Sequence, residues 1–190
     1  MRVLIACEFS GVVRDAFLAR GHDAWSCDLL PTEKPGPHYQ GDVYGFWRQS
    51  WDLLIAHPPC TYLANSGVRW LYNADGSYNT ERWAAMQEAA AFFWSLFHAP
   101  VARICIENPI PHKHANLPRY TQTIQPWQFG HGETKRTCLW LRGLPPLKPT
   151  DIVSGRQPRV HHAPPSKDRW KERSRTYPGI AAAMAEQFSI

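Results

Sequence analysis

Two stretches of this chain bring together residue types suited to covalent chemistry. In Asp52-Leu53-Leu54-Ile55-Ala56-His57-Pro58-Pro59-Cys60 an apolar run is stopped by two prolines and followed at once by a thiol. Proline gives no N–H to a ladder and fixes its own φ, so the strand ends there and the chain turns. A cysteine on a rigid turn at the carboxyl end of a central strand faces the crevice where open α/β sheets bind ligands. That is a place for a nucleophile; a structural cysteine beside a Pro-Pro turn fits this stretch alone equally well. The second stretch, Val101 to Ile106, is another apolar run, ending in Glu107-Asn108-Pro109. Neighbouring strands lie about 5 Å apart, so Cys60 and Glu107 are expected to share one pocket, a thiol nucleophile beside a carboxyl acid. Read by itself, Glu107 also fits a capping or loop hydrogen-bonding role. His57, on the strand side of the turn, is expected to point elsewhere.

The elements that must position these residues follow the same alternation. Val3 to Cys7 is a short apolar strand, Glu8 to Gly11 a turn, and Val13, Ala16, Phe17 and Arg20 share a helical face that Gly21 ends, with Ser10 as the expected N-cap. Asp23 to Asp28 is the next strand, which places Asp28 roughly twenty residues beyond the first turn, where dinucleotide- and nucleoside-binding folds hold ribose hydroxyls. The first turn lacks a full glycine-rich fingerprint, so a nucleoside without a diphosphate, such as S-adenosylmethionine, fits better than a dinucleotide. Asp42 is a second acid near the same edge. Trp83, Met86, Ala90, Phe93, Trp94 and Phe97 recur at helical steps between Thr80 and His98, a core-packing stripe. Thr121–Phe129 and Thr137–Leu141 read as an antiparallel pair at the sheet edge. Pro178 to Phe188 reads as a closing helix with proline in its first turn. Loops are expected over 31–40, 61–79, 110–120 and 143–168, the last Pro-rich and basic. The expected class is α/β, a Rossmann-like fold with a mostly parallel sheet and an antiparallel edge pair.

A chain of 190 residues with 44% hydrophobic and 19% charged residues suits a single soluble domain, here residues 1–190. The formal net charge of +5 is concentrated in the last third, which fits a phosphate-bearing partner or simply a solvated basic face. Cys7, Cys27, Cys60, Cys105 and Cys138 form no CxxC pair, the pattern of reduced thiols rather than a disulfide framework. A zinc site drawn from His112, His114, His131, His161, His162 and Cys138 lacks ligand spacing, so no metal is expected. An immediate strand at the N-terminus predicts no signal peptide, and no apolar run reaches membrane-spanning length. A cytoplasmic protein is expected.

The order of motifs resembles a C5-cytosine methyltransferase reduced to its catalytic domain. The family's Phe-x-Gly turn resembles Phe9-Ser10-Gly11. Its ribose-binding acid matches Asp28 in position, and its Gly-Asp-Ile motif resembles Gly41-Asp42-Val43. Its Pro-Cys nucleophile motif resembles Pro58-Pro59-Cys60, its Glu-Asn-Val motif resembles Glu107-Asn108-Pro109, and its closing motif resembles Gly179 to Met184. Three departures stand out. A second glycine is missing from the first turn, Pro109 replaces a valine, and no segment is long enough for the family's target-recognition domain. Lys135-Arg136-Thr137 is the nearest candidate for its Gln-x-Arg-x-Arg motif. Compactness without that domain suits a virus-encoded or mobile-element enzyme, which if virus-encoded would act in its host's cytoplasm.

The resemblance implies S-adenosylmethionine as cofactor, held by Phe9, Ser10, Gly11, Asp28, Asp42 and Pro58. It implies catalysis by Cys60, Glu107 and Asn108, with DNA as substrate and Lys135, Arg136, Arg173 and Arg175 contacting its phosphates. The same chemistry on a free pyrimidine nucleotide or single-stranded nucleic acid is the alternative, and a non-catalytic nucleic-acid binder a third. Cytosine C5 is a poor nucleophile. A thiolate adding at C6 makes C5 enamine-like, and a carboxyl at N3, protonated or sharing its proton with the ring, stabilises the charge that builds there. This chemistry calls for a Cys60 thiol with a lowered pKa.

Overall fold

The computed structural model describes residues 1–159, 164, 166–167 and 169–189. Strand β1 (Arg2–Ala6) leads into helix α1 (Val12–Leu18), then β2 (Asp23–Asp28), β3 (His38–Gln40), α2 (Val43–Phe46) and β4 (Leu53–Ala56). Helix α3 (Thr80–Phe97) precedes β5 (Arg103–Pro109), β6 (Gln122–Ile124) and β7 (Thr137–Arg142), and the described chain closes with α4 (Arg169–Ser174) and α5 (Pro178–Gln187). The seven strands form one sheet in the order β3-β2-β1-β4-β5-β7-β6. β1 pairs in parallel with β2 and β4, and β4 with β5, whereas β7 runs antiparallel to both β5 and β6. This is a Rossmann-like α/β sheet, mostly parallel with an antiparallel edge pair, as the sequence reading expects.

The central strands are buried on both faces, which is why they read as unbroken apolar runs. Val3, Ile5, Leu53 and Ile55 pack toward α1 and α5 through Val13, Phe17, Ala181 and Met184. Their alternates Leu4, Ala6, Leu54 and Ala56 pack toward α3 through Phe93 and Leu96, with Trp140 completing that layer. The period-two split of each strand between two cores fixes its register, because a one-residue slip would exchange the faces. With Leu53 opposite Arg103 and Ala56 opposite Ile106, β4 and β5 end side by side.

Several boundaries differ from the sequence-based expectation. Helix α1 is capped by Gly11, at φ 71°, not by Ser10. The Glu8 carboxylate supplies the capping bonds, Oε1 accepting from Val13 N at 2.7 Å and Oε2 from Arg14 N at 3.2 Å. The expected strand 121–129 shrinks to Gln122–Ile124, because Pro126 opens a short 3₁₀ turn, Pro126–Gln128, held by a reciprocal Gln125–Gln128 cap. Part of the expected loop 61–79 is a 3₁₀ segment, Asn65–Leu71. No helix among the described residues is long and apolar enough to cross a membrane.

Candidate functional site

The carboxyl ends of β1, β4 and β5 open into one cavity of about 120 Å³, where His57, Cys60, Glu107 and Lys135 meet. Each strand is stopped differently. β1 is followed by Cys7, whose left-handed backbone (φ 58°) bends the chain into the crevice; for a residue with a Cβ that conformation costs about 1–2 kcal/mol. β4 is followed by His57, whose N–H still donates to Ala6 O at 2.9 Å, before Pro58 and Pro59 turn the chain. β5 runs through Glu107-Asn108-Pro109, and Asn108 Nδ2 donates to Pro58 O at 2.8 Å. That bond ties the cysteine turn to the neighbouring strand end. The turn itself is closed by Leu63 N and Ala64 N donating to Cys60 O at 3.0 and 2.9 Å.

The imidazole of His57 crosses to β5, where Nδ1 lies 2.8 Å from Glu107 Oε2, and both side chains are largely buried. His57 thus points into the site, contrary to the expectation that it faces away; alternation ceases to govern direction once β4 ends at Ala56. Burial pushes the Glu107 carboxyl up, but the hydrogen bond and charge of His57, with Lys135 and Thr137, outweigh it and hold the group below its ordinary value. The imidazole beside it therefore draws the Glu107 carboxyl toward its ionised form. The Cys60 thiol is pushed up by burial and by the nearby Glu107, against the smaller opposing pull of Lys135 and Arg173. The lowered thiol pKa that the chemistry calls for is absent from this state.

A second cavity, of about 230 Å³, adjoins the first: Cys7 and Pro59 line both. It is walled by Leu29, Val43, Tyr44 and Phe92, with Asp28 and Asp42 at its edge. Burial raises the Asp28 carboxyl, while hydrogen bonds from the Leu30 and Leu29 backbone and the charges of His38 and His57 pull it back. Asp42 also caps α2, its Oδ1 accepting from Tyr44 N at 2.9 Å. Flat apolar walls beside a carboxylate at the end of β2 suit an adenosine, with the acid positioned for ribose hydroxyls. The anion-binding place at the start of α1 is filled by the chain's own Glu8, so no diphosphate cradle is formed there.

The residues singled out from sequence divide between these places. Phe9, Ser10, Pro58, Cys60, Glu107, Asn108, Lys135, Arg173 and Arg175 line the first cavity, and Asp28 and Asp42 the second. Gly11 lines neither; a Cβ there would meet the Arg14 guanidinium at 2.5 Å, so it serves the packing of α1. Arg136 is exposed and lies outside both linings. Lys135 Nζ donates to the backbone oxygens of Arg173, at 2.7 Å, and Arg175, at 3.4 Å, holding the 173–176 segment over the cavity. Arg175 makes a two-pronged bond to Glu33. Sequence reasoning misjudged the direction of His57 and missed Cys7 and Glu8. Only Glu8 left a signal, an acid placed just before the first turn of a helix. Of the histidines weighed as metal ligands, His131 accepts from Gly179 N and His112 bonds Tyr62 O, while His161 and His162 lie outside the described residues.

Beyond Cys60 lies an open groove lined by Thr61, Ser66, Gly67, Trp70, Asn79 and Arg82. Arg82 Nη2 donates to Thr61 O at 2.6 Å, and its guanidinium stacks 4.3 Å from the Tyr62 ring centroid. Arg69 stacks 4.4 Å from the exposed Trp70 ring.

No family model and no curated protein matches this chain. Among solved structures it is similar to a candidate DNA modification methyltransferase encoded within an E. coli prophage, at 16% identity and a TM-score of 0.46. It is also similar to the Entamoeba histolytica methyltransferase EhMeth, at 14% identity and a TM-score of 0.48, and to a mutant of Spodoptera frugiperda DNMT2, at 14% and 0.39. Each match covers 80% of this chain and 52%, 57% and 54% of the other chains respectively, so the chain spans about half the length of those proteins.

Proposed function

We propose that this chain is a single-domain, S-adenosylmethionine-dependent C5-cytosine methyltransferase that acts on DNA, with Cys60 as the nucleophile that adds to C6 of the target ring. The observation that carries the reading is the meeting of Cys60 and Glu107 in one cavity that adjoins, through Cys7 and Pro59, a second cavity suited to an adenosine. Asp28 and Asp42 would hold the ribose and adenine side of the cofactor, and Phe9 and Ser10 its amino-acid end. When bound, S-adenosylmethionine supplies an electrophilic methyl group. Cys60 makes the ring able to accept it, by converting C5 into an enamine carbon. Glu107 meets N3 of the ring, and Asn108 keeps the Pro58 turn, and so the thiol, in register with Glu107. The working compartment in this reading is the cytoplasm.

A polynucleotide is favoured over a free nucleotide by the groove that starts at Thr61. Exposed aromatic rings with stacked guanidinium groups, one residue beyond the nucleophile, suit the neighbouring bases and phosphates of a strand whose target base is in the pocket. A monomer would leave that groove unused. A duplex would have to present the target base flipped out of its stack.

The test is transfer of labelled methyl groups to duplex DNA, single-stranded DNA and free deoxycytidine nucleotides, with wild type and Cys60→Ala. Label in a cytosine polymer, lost in Cys60→Ala while cofactor binding persists, is the expected result. Label in the nucleotide alone removes the polymer assignment, and full turnover by Cys60→Ala removes the covalent mechanism.

A further inference from the structure

We propose that His57 is the proton-handling partner of the Cys60–Glu107 pair, holding Glu107 through Nδ1–H and receiving at Nε2 the proton that the Cys60 thiol gives up. The inference rests on the function proposed above and names a residue which that function does not require. Its starting point is an incomplete bonding pattern. His57 Nδ1 is paired with Glu107 Oε2 at 2.8 Å, and the side chain is only 9% exposed, yet Nε2 is buried without a partner among the described residues. A buried polar atom left unsatisfied costs about 1–3 kcal/mol. A fold keeps such an atom where a ligand or a reaction completes it. In the neutral form of the ring with Nδ1–H turned to the carboxylate, the lone pair is on Nε2, and the open atom is then a proton acceptor.

The cavity needs one. The thiol is protonated at neutral pH, because burial and Glu107 push it up. The other bases in the lining are committed. Glu8 spends its oxygens on the N-terminus of α1 and on Ser10 Oγ, and Glu107 accepts from His57. Lys135 and Arg173 are cations, and Asp28, at the end of β2, belongs to the adjoining cavity although its carboxyl feels the charge of His57. Cys7, the other thiol in the lining, is itself pushed far up by burial. His57 is the one group of the lining with both an uncommitted acceptor and a link to Glu107.

The addition step then balances without any outside reactant. The Cys60 S–H bond breaks and its proton goes to Nε2, directly or across one water. The sulfur pair forms the S–C6 bond, the C5=C6 pair becomes C4=C5, and the C4=N3 pair moves onto N3. Glu107, ionised at the start, takes the Nδ1 proton and passes it to N3. The imidazole ends neutral in its other tautomer, Glu107 ends ionised as it began, and one proton has passed from sulfur to the ring. His57 therefore acts on both ends of the addition through a single ring.

The experiment compares wild type with His57→Gln, which keeps a hydrogen-bonding side chain beside Glu107, by two measurements. One is the pH dependence of alkylation of Cys60 by iodoacetamide, followed by peptide mass mapping, in the protein without substrate. The other is the pH dependence of kcat/KM for methyl transfer to a cytosine oligonucleotide. Wild type is expected to show, in both, an inflection that comes before the thiol's own ionisation. In His57→Gln that inflection disappears from both, alkylation rises only as the thiol itself ionises, and kcat/KM falls by about 100-fold or more near neutral pH, with partial recovery in alkali. His57→Gln profiles of wild-type shape, whatever their height, overturn the proposal, since a purely structural role lowers rates without moving the pH dependence. Alkylation needs no methyl acceptor, so it tests His57 even if no cytosine substrate is labelled; the function itself fails separately, through Cys60→Ala.

Discussion

Two buried nitrogen-rich side chains, Arg14 and His57, sit in the same fold with opposite bonding patterns. Arg14 is fully buried on α1, and all five of its N–H groups are used. Nε donates to Asp15, one terminal nitrogen to Ser26 Oγ and Thr32 Oγ1, and the other to the backbone oxygens of Lys34 and Pro35. Gly11 and Gly36 press so close to it that a Cβ at either would meet the guanidinium at 2.5 and 2.7 Å. His57 has one nitrogen bonded and the other buried and open. Burial of a polar group therefore does not by itself mark a working site in this protein. Saturation separates the two: the closed network anchors the 32–36 loop to α1, and the open one belongs to a side chain that lines a cavity.

The strongest test of that contrast is Arg14→Met. The substitution keeps the apolar stem but removes all five Arg14 hydrogen bonds at once, although Ser26 Oγ keeps His38 and Lys34 O keeps Thr32 Oγ1. At about 0.5–1.5 kcal/mol net per hydrogen bond, the loss of folding stability is expected to be about 3 kcal/mol or more, read from the midpoint of urea unfolding at constant slope. His57→Gln should cost under about 1 kcal/mol in the same assay, because one of the two ring nitrogens has nothing to lose. Equal losses in the two variants would break the comparison.

Asn108 lies between the extremes and sharpens it. Its Nδ2 holds Pro58 O, while its Oδ1 is buried without a partner among the described residues. Asn108→Ala removes one satisfied bond and one unsatisfied atom, and frees Pro58 O. The expected cost is about 1–2 kcal/mol of stability, smaller than for Arg14→Met. The turn that carries Cys60 also loses its tie to β5, so methyl transfer should fall by more than the stability change predicts. An activity loss with no change in urea midpoint would place the whole role of Asn108 in the open half of its bonding.

The parts legible in the sequence are those set by punctuation and by burial on both faces. Proline after an apolar run marked the ends of β4 and β5, and these gave Cys60 and Glu107 their shared cavity. The two-sided burial of β1, β4 and β5 made them continuous apolar runs and hence recognisable as parallel strands. His57 was illegible because it stands one residue beyond the last ladder position, where neither alternation nor propensity fixes a side chain's direction. The truncation of β6 was written in Pro126, but the Val- and Ile-poor run around it gave no strong strand pattern to contradict. Arg14 resembled any charged helix residue; its burial comes from a loop eighteen to twenty-one residues away folding back over it. Lys135 stood out as a basic residue for phosphate, whereas its charge is spent on the backbone of 173–175 and on the electrostatics of Cys60 and Glu107.

The smallest expected effect belongs to a third kind of pair, the exposed one. Arg175 reaches Glu33 with Nη2 to Oε1 at 2.7 Å and Nε to Oε2 at 3.0 Å, and each side chain is about one-third exposed. The bond joins the wall of the first cavity to the loop that Arg14 anchors. The hydrogen bond from Arg175 is the main cause that holds the Glu33 carboxyl below its ordinary value of 4.5. A carboxyl with a depressed folded-state pKa stabilises the fold above its unfolded value, and that contribution fades as pH falls through the folded one. Solvent screening limits it to between a few tenths and about 1 kcal/mol. Glu33→Gln should therefore be slightly less stable than wild type at neutral pH, and the two urea midpoints should converge as the medium becomes more acidic than pH 4.5. High salt should shrink the neutral-pH difference as well. A difference that persists undiminished in acid would mean that Glu33 acts through packing and not through its charge, and the exposed pair would then belong with the saturated network around Arg14.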